Sequence, residues 1–237
     1  MDWRGMLQGS LRRQGYELVR YPIMRFLAQY KINVVLDVGA NRGQYAQELR
    51  RLGYDKRIVS FEPLSSAFSQ LTEKADNDPD WTPVQLAVGS KEHHASLHIA
   101  GNSASSSLLD MLPRHTEVAP ETAYVGQETV TVKRLDSVFS DYCHCSDKVL
   151  LKIDTQGYES EVLQGAAAVL PRIAGLEIEM SLVPLYENEV LAEGLLSCVR
   201  KHGFVPFWFN HGFKDPSNQQ LLQVNGLFFK AQNERES

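Results

Sequence analysis

Long apolar runs are missing from this sequence of 237 residues. No stretch approaches the roughly 20 apolar residues that a membrane-spanning helix needs. The beginning of the chain, MDWRGMLQGSLRR, has no apolar core of the kind found in secretory signal peptides. We therefore expect a cytoplasmic protein without a transmembrane segment.

Cysteine is scarce as well. The three residues Cys143, Cys145 and Cys198 are an odd number and too few for a disulfide framework. The stretch Cys-His-Cys at 143–145 resembles half of a zinc site, but no second pair of ligands follows at a suitable spacing. We expect free thiols and predict no metal ligands, although assistance by a divalent ion stays open.

Basic residues are too few to balance the acidic ones, and the net charge is −5. Residues 1–31 carry a net charge of +4, so the remainder carries −9. An acidic body argues against nucleic acid as the partner, because neutralising phosphates requires a basic face.

The basic stretch is predicted to be an N-terminal helical arm, residues 1–32, ahead of a domain at 33–237. Three roles stay open for this arm. It could be a lid over the active site, a peripheral contact with an anionic membrane surface, or a docked helix with a solvated basic face. The oligomeric state stays open too.

From residue 33 onward, short runs rich in Val, Ile and Leu alternate with amphipathic stretches, which predicts a parallel sheet with crossover helices. The predicted strands are Asn33–Gly39, Arg57–Glu62, Thr82–Val88, Lys148–Asp154 and Gly175–Leu182. Two later runs, FVPFWFN and QVNGLFFK, have no helix between them and should pair antiparallel. The prediction is a Rossmann-like, doubly wound α/β fold whose mostly parallel sheet ends in an antiparallel hairpin.

The strongest local motif is VVLDVGANRGQY. Its first strand contains Asp37 and leads into a loop with Gly39, Asn41 and Gly43, and the next helix begins near Tyr45. Glycines permit a sharp turn close to a ligand, and ligands bind at this end of a parallel sheet. The loop lacks the G-x-G-x-x-G fingerprint of dinucleotide sites, because asparagine stands where the middle glycine would be. All five residues are candidates for cofactor binding.

Glu62 adds a second feature at the end of the next predicted strand. It lies about 20 residues beyond the loop, where an acidic side chain can accept hydrogen bonds from the two hydroxyls of an adenosine ribose. The glycine loop and Glu62 together predict a cofactor that contains adenosine.

Several motifs, in order along the chain, resemble the FkbM-type methyltransferases. They are VLDVGANRGQY, FEP, AVG, SASSSL, VKRLDS and LKIDTQGYESEVLQGA. The resemblance covers roughly residues 33–230 and implies a class I methyltransferase fold with S-adenosylmethionine as the methyl donor. It also implies a hydroxyl acceptor, most often on a sugar or a polyketide-like product. Many members have Asp-x-Glu-Gly where this chain has Gln156 in Asp-Thr-Gln-Gly, which puts any metal or substrate role of that Glu in doubt.

The chemistry is expected at the carboxyl ends of the strands. Asp154 ends the fourth strand and is the first candidate both to orient or deprotonate an acceptor hydroxyl and to bind the cofactor. His115 is the second candidate base, since histidine titrates near neutrality. It lies in a Ser-rich loop insertion at about 101–128, where Ser105 and Ser106 could bind the cofactor or a sugar.

The function we predict is O-methylation of a hydroxyl, the acceptor being a small molecule or the sugar of a glycolipid, polysaccharide or secondary metabolite. Two other functions stay open. One is a catalytically inactive protein that binds the cofactor or serves as a scaffold. The other, less favoured, is an NAD-dependent oxidoreductase, which lacks support because the three-glycine fingerprint is missing.

Overall fold

The computed structural model describes residues 22–231. Most of the predicted arm, residues 1–21, therefore lies outside the described residues, as do residues 232–237. The described part of the arm contains a short helix, α1, at Ile23–Gln29. No helix in residues 22–231 is long and apolar enough to cross a membrane.

Strands and helices alternate through most of the chain. The strands are β1 (Val34–Val38), β2 (Arg57–Phe61), β3 (Trp81–Val84), β4 (Ala87–Val88), β5 (His93–Ala100), β6 (Tyr124–Lys133), β7 (Val149–Ile153), β8 (Ile173–Ser181), β9 (Phe204–His211) and β10 (Gln223–Lys230). The further helices are α2 (Gln44–Arg51), α3 (Ser65–Ala75), α4 (Pro113–Val118), α5 (Leu135–Tyr142), α6 (Glu159–Gly165) and α7 (Ala192–Lys201).

Seven strands form the main sheet in the order β3-β2-β1-β7-β8-β10-β9. The first five run parallel to one another, and β10 pairs antiparallel with both β8 and β9. Every residue of β1 and of β7 is buried, because helices cover both faces of the sheet. The predicted α/β fold, with its antiparallel hairpin at the end, is confirmed.

Three further strands form a second sheet in the order β4-β6-β5. The predicted strand Thr82–Val88 is wrong as one element, because its first half pairs with β2 and its end pairs with β6. The predicted loop at 101–128 is also too long. It contains α4, which has proline in its first turn, and the beginning of β6, whose length is set by its pairing with β5.

Candidate active site

The glycine loop between β1 and α2 turns sharply beside the neighbouring strands. Gly39, Asn41 and Gly43 all have positive φ, at 81°, 47° and 77°. The amide nitrogens of Gly39 and Ala40 donate to the Phe61 carbonyl at the end of β2. The backbone of the loop is therefore held against the ends of the strands on either side of it.

Glu62 anchors this loop from the end of β2. Its Oε2 accepts a hydrogen bond from the Asn41 amide nitrogen at 2.7 Å, and its Oε1 accepts one from the Leu64 amide nitrogen at 2.8 Å. Burial raises the pKa of Glu62 to about 7, against the opposing effect of these two donors. Each oxygen retains a lone pair for a further donor.

A cavity of about 550 Å³, partly open to solvent, lies at this end of the sheet. Its walls include Glu62, the glycine loop, the loop after β5 and the segment after β7. Apolar side chains make up much of one side, namely Val38, Phe61, Leu86, Val88 and Leu97. Ser107 ties the serine-rich segment to the opposite wall by donating to the Gln156 carbonyl oxygen at 2.7 Å.

Five of the nine predicted cofactor-binding residues line the cavity: Gly39, Asn41, Glu62, Ser106 and Asp154. The other four, Asp37, Gly43, Tyr45 and Ser105, do not line it. Gly43 is buried against Trp81 and Leu71, so it serves packing. Ser105 is buried, and its carbonyl oxygen accepts from the Tyr186 hydroxyl at 3.3 Å.

Lys152 links two of the predicted carboxylates from the middle of β7. Its Nζ lies 3.1 Å from Oδ1 of the fully buried Asp37 and 3.4 Å from Oδ2 of Asp154. Burial alone would lower the pKa of Lys152, but Asp37 and Asp154 outweigh it and hold that pKa above its ordinary value. Asp37 thus lies behind the cavity and acts on it through Lys152.

Tyr45 belongs to this same charged region. Its hydroxyl donates to Glu177 Oε2 at 2.6 Å, and the centre of its ring lies 5.3 Å from Lys152 Nζ. Tyr45 therefore packs beside Lys152 and Glu177 and does not line the cavity.

Gln156 connects Asp154 to a carboxylate on the next strand. Its Nε2 donates to Asp154 Oδ1 at 2.9 Å and to Glu179 Oε2 at 2.6 Å. Its Oε1 accepts from the buried Tyr186 hydroxyl at 2.9 Å. The side chain takes these positions on a backbone with a φ of 55°.

Glu159 supports the turn that carries these residues. Its Oε1 accepts hydrogen bonds from the amide nitrogens of Thr155 and Gly157, at 2.8 and 3.2 Å. Burial raises the pKa of Glu159 to about 7. This carboxyl group therefore satisfies the backbone of the loop.

His115 was predicted to lie in the loop insertion at about 101–128, but the structure places it in a helix. It lies in α4, only 3% exposed, with its ring 5.2 Å from that of Tyr186 and 5.3 Å from that of Phe213. It does not line the cavity. Burial lowers its pKa to about 4, against the opposing effect of Glu121. The aromatic packing accounts for His115, and we do not retain it as a candidate base.

This burial predicts an effect of pH on stability. The unfolded chain binds a proton at His115 near pH 6.5, whereas the folded chain does so only near pH 4. Because the unfolded state binds more protons between these values, His115 lowers the free energy of unfolding as pH falls through that interval. His115→Phe should therefore lose less stability than the wild type between these pH values.

Urea unfolding at the two ends of that interval measures the effect, with the exposed His202 replaced by Phe as the control. Equal losses in the wild type, His115→Phe and His202→Phe would show that His115 titrates normally in the folded protein.

Comparison with known proteins identifies the family. The family model described as the methyltransferase FkbM domain matches residues 37–206. The chain belongs to the FkbM methyltransferase family. A curated relative, 2-O-methyltransferase NoeI of Sinorhizobium fredii, is 23% identical over 172 residues, which cover 69% of each chain.

Solved structures are similar in fold at low sequence identity. An uncharacterized protein from Listeria monocytogenes serotype 4b has a TM-score of 0.50 and 8% identity, over 91% of this chain and 70% of that one. An rRNA methylase from Streptococcus thermophilus has a TM-score of 0.48 and 13% identity, over 91% of this chain and 99% of that one. The first of these shows a shared fold and nothing about the acceptor.

Membership of this family implies S-adenosylmethionine as the methyl donor. The cavity of this FkbM-family methyltransferase fits such a molecule. Glu62 has lone pairs left for ribose hydroxyls, Phe61 and Leu86 offer apolar surface to adenine, and the carboxylate of Asp154 suits a positively charged group. Within residues 22–231, no group of three or more His, Cys, Asp or Glu side chains is arranged to hold a metal ion.

Sequence reasoning missed three contributors to this site: Lys152, Glu179 and Tyr186. Lys152 lies inside an otherwise apolar strand. A charged residue in such a run could have been recognised from the sequence as a candidate site residue. Glu179 similarly alternates with apolar residues in β8. Tyr186 lies 30 residues beyond its partner Gln156 and had no such signal.

Proposed function

We propose that this methyltransferase transfers the methyl group of S-adenosylmethionine to a hydroxyl group, most suitably that of a sugar. The observation that carries the proposal is the carboxylate of Asp154, which lines the same cavity as Glu62. Carboxylates accept hydrogen bonds from hydroxyls and repel anionic acceptors such as phosphates. The relative NoeI is a 2-O-methyltransferase, which agrees with transfer to oxygen.

In this reaction the residues of the chain hold the cofactor and orient the acceptor. When bound, S-adenosylmethionine supplies a methyl group already activated by the sulfonium. Glu62 and the glycine loop hold the nucleoside end, and Asp154 orients the acceptor hydroxyl. Such positioning can contribute about 7–11 kcal/mol to lowering the barrier. The ion pair with Lys152 keeps Asp154 in place.

The decisive prediction concerns Glu62. We expect Glu62→Ala to weaken the binding of S-adenosylhomocysteine at least tenfold, equivalent to about 1.4 kcal/mol, because the ribose hydroxyls lose their acceptor. Isothermal titration calorimetry measures this, with NAD as a second ligand that should give no heat. The matched control is Glu73→Ala, an exposed glutamate on α3.

Wild-type protein that binds NAD better than S-adenosylhomocysteine would refute the proposal. Equal affinity of the wild type and Glu62→Ala would show that Glu62 does not bind the ribose.

A second assay separates an enzyme from a scaffold. Radiolabelled S-adenosylmethionine is incubated with methyl glycosides of common hexoses and deoxyhexoses that carry free hydroxyls. Transfer of label to a glycoside supports a sugar O-methyltransferase. Binding of the cofactor without transfer to any member of the panel would contradict the sugar as acceptor and favour the scaffold.

A further inference from the structure

Glu179 is a neighbour of Asp154 on the adjacent strand of the main sheet. Ile153 pairs with Ile178 across β7 and β8, so the next residues, Asp154 just after β7 and Glu179 near the carboxyl end of β8, are neighbours. Glu179 is partly exposed at this edge. Glu179 does not itself line the cavity, but Gln156, which does, joins its side chain to that of Asp154.

The amide of Gln156 fixes the spacing of the two carboxylates. One nitrogen donates to both, so Asp154 Oδ1 and Glu179 Oε2 lie at most 5.5 Å apart, the combined length of the two hydrogen bonds. The hydroxyl of Tyr186 donates to Oε1 of Gln156 and so sets the orientation of this amide. Gln223 of β10 donates to the same Glu179 oxygen at 3.0 Å. Glu179 is thus held by two neutral amides.

Asp154 and Glu179 differ in their charged neighbours. Asp154 has Lys152 beside it at 3.4 Å, whereas Glu179 has no ion pair at contact distance among the described residues. The titratable groups that act on Glu179 are Asp154 and Lys152 from the β7 strand and its end, Glu159 from α6, and Tyr186 from the segment after β8. Glu177 lies two residues earlier on its own strand, and the amide of Gln223 reaches Glu179 from the neighbouring strand β10. Burial, followed by Asp154 and Glu159, raises the pKa of Glu179 well above its ordinary value.

We propose that Glu179 is the catalytic base that takes the proton of the acceptor hydroxyl, while Asp154 orients that hydroxyl. This assignment rests on the proposed function. In the transfer the acceptor oxygen forms a bond to the methyl carbon, the carbon–sulfur bond breaks with its electron pair staying on sulfur, and the hydroxyl proton passes to Glu179. A carboxylate stabilised by a lysine is a weaker proton acceptor than one held only by neutral amides.

The first test needs no acceptor. Infrared difference spectroscopy of the wild type, titrated from about pH 6 to pH 10, should show a protonated carboxyl band that persists at pH values where Glu62 and Glu159 have ionised. The band should be missing in Glu179→Gln and present in the control Glu193→Gln, which changes an exposed residue of α7. Absence of the band in the wild type, or its presence in Glu179→Gln, would overturn the proposal.

The second test follows kcat/KM across the same pH range with the methyl glycoside panel. Wild-type kcat/KM should rise as pH increases above neutrality, because Glu179 must lose its proton before it can act as a base. Glu179→Gln should lower kcat/KM by about 10²–10⁴-fold and remove that rise. Glu179→Asp should retain the rise at a reduced rate.

Calorimetry with S-adenosylhomocysteine separates this proposal from the previous one. Normal cofactor affinity in Glu179→Gln, with the rise in kcat/KM lost, supports Glu179 as the base. A wild-type pH profile in Glu179→Gln refutes Glu179 while leaving the proposed methyltransferase intact. No transfer by the wild type to any glycoside contradicts the sugar acceptor and, with it, Glu179 as the base for a sugar hydroxyl.

Discussion

Replacing Lys152 with Met should lower the free energy of unfolding by about 3–5 kcal/mol, the cost of leaving a buried charge without its partner. Asp37 is fully buried, and Lys152 supplies its countercharge at 3.1 Å. The Ser60 hydroxyl, which donates to Asp37 at 3.2 Å, cannot neutralise it. Methionine fills much of the same volume, so the loss reports on charge more than on packing. Urea unfolding at neutral pH measures the effect.

Two further variants make this result specific. Lys148→Met changes an exposed lysine one position before β7 and should alter stability by less than about 0.5 kcal/mol. The double variant Asp37→Asn with Lys152→Met should recover part of the lost stability, since it leaves no unpaired charge. If the double variant is as unstable as the sum of the two single ones, the pair is not coupled.

Gly39→Ala is the second variant from which we expect a large effect. A positive φ costs a residue with a side chain about 1–2 kcal/mol, and Gly39 has a φ of 81°. A methyl group there would also overlap the carbonyl oxygen of Asp154, a backbone atom that cannot rotate away. Overpacking of this kind adds about 1–3 kcal/mol. The overlap would push β1 and β7 apart under the cavity, so affinity for S-adenosylhomocysteine should fall as well.

Gly53→Ala provides the matched control. Gly53 has a φ of 95°, but an added methyl group would meet nothing within 4 Å. It should cost about 1–2 kcal/mol from the backbone alone and leave cofactor binding unchanged. Thermal unfolding and calorimetry on both variants compare the two effects. Equal losses in stability and unchanged affinity in both would show that the contact with Asp154 does not matter.

Most of the main sheet could be predicted from the sequence, for a physical reason. Strands buried on both faces must be almost wholly apolar, so β1 at Val34–Val38 and β7 at Val149–Ile153 appear as short Val, Ile and Leu runs between polar stretches. The second sheet could not be found in this way. Ala87–Val88 is two residues long and is a strand only because β6 lies beside it.

The candidate site likewise has residues that the sequence predicts and residues that it misplaces. Gly39, Asn41 and Glu62 are close in sequence and follow directly from the ends of consecutive strands, which is why their motifs could be read. His115 was misplaced because sequence alone does not show burial. Its aromatic neighbour Phe213 lies almost 100 residues later in the chain, beyond any local pattern.

The sequence by itself determined the buried strands of the main sheet, the glycine loop, the acidic residue at the end of β2 and the resemblance to the family. Each of these depends on residues close together in the chain. Only the tertiary structure decided which charges are paired. Glu179 meets Gln156 and Gln223 because β7, β8 and β10 lie side by side in the sheet, and the pairing of distant strands brings these side chains within hydrogen-bond distance.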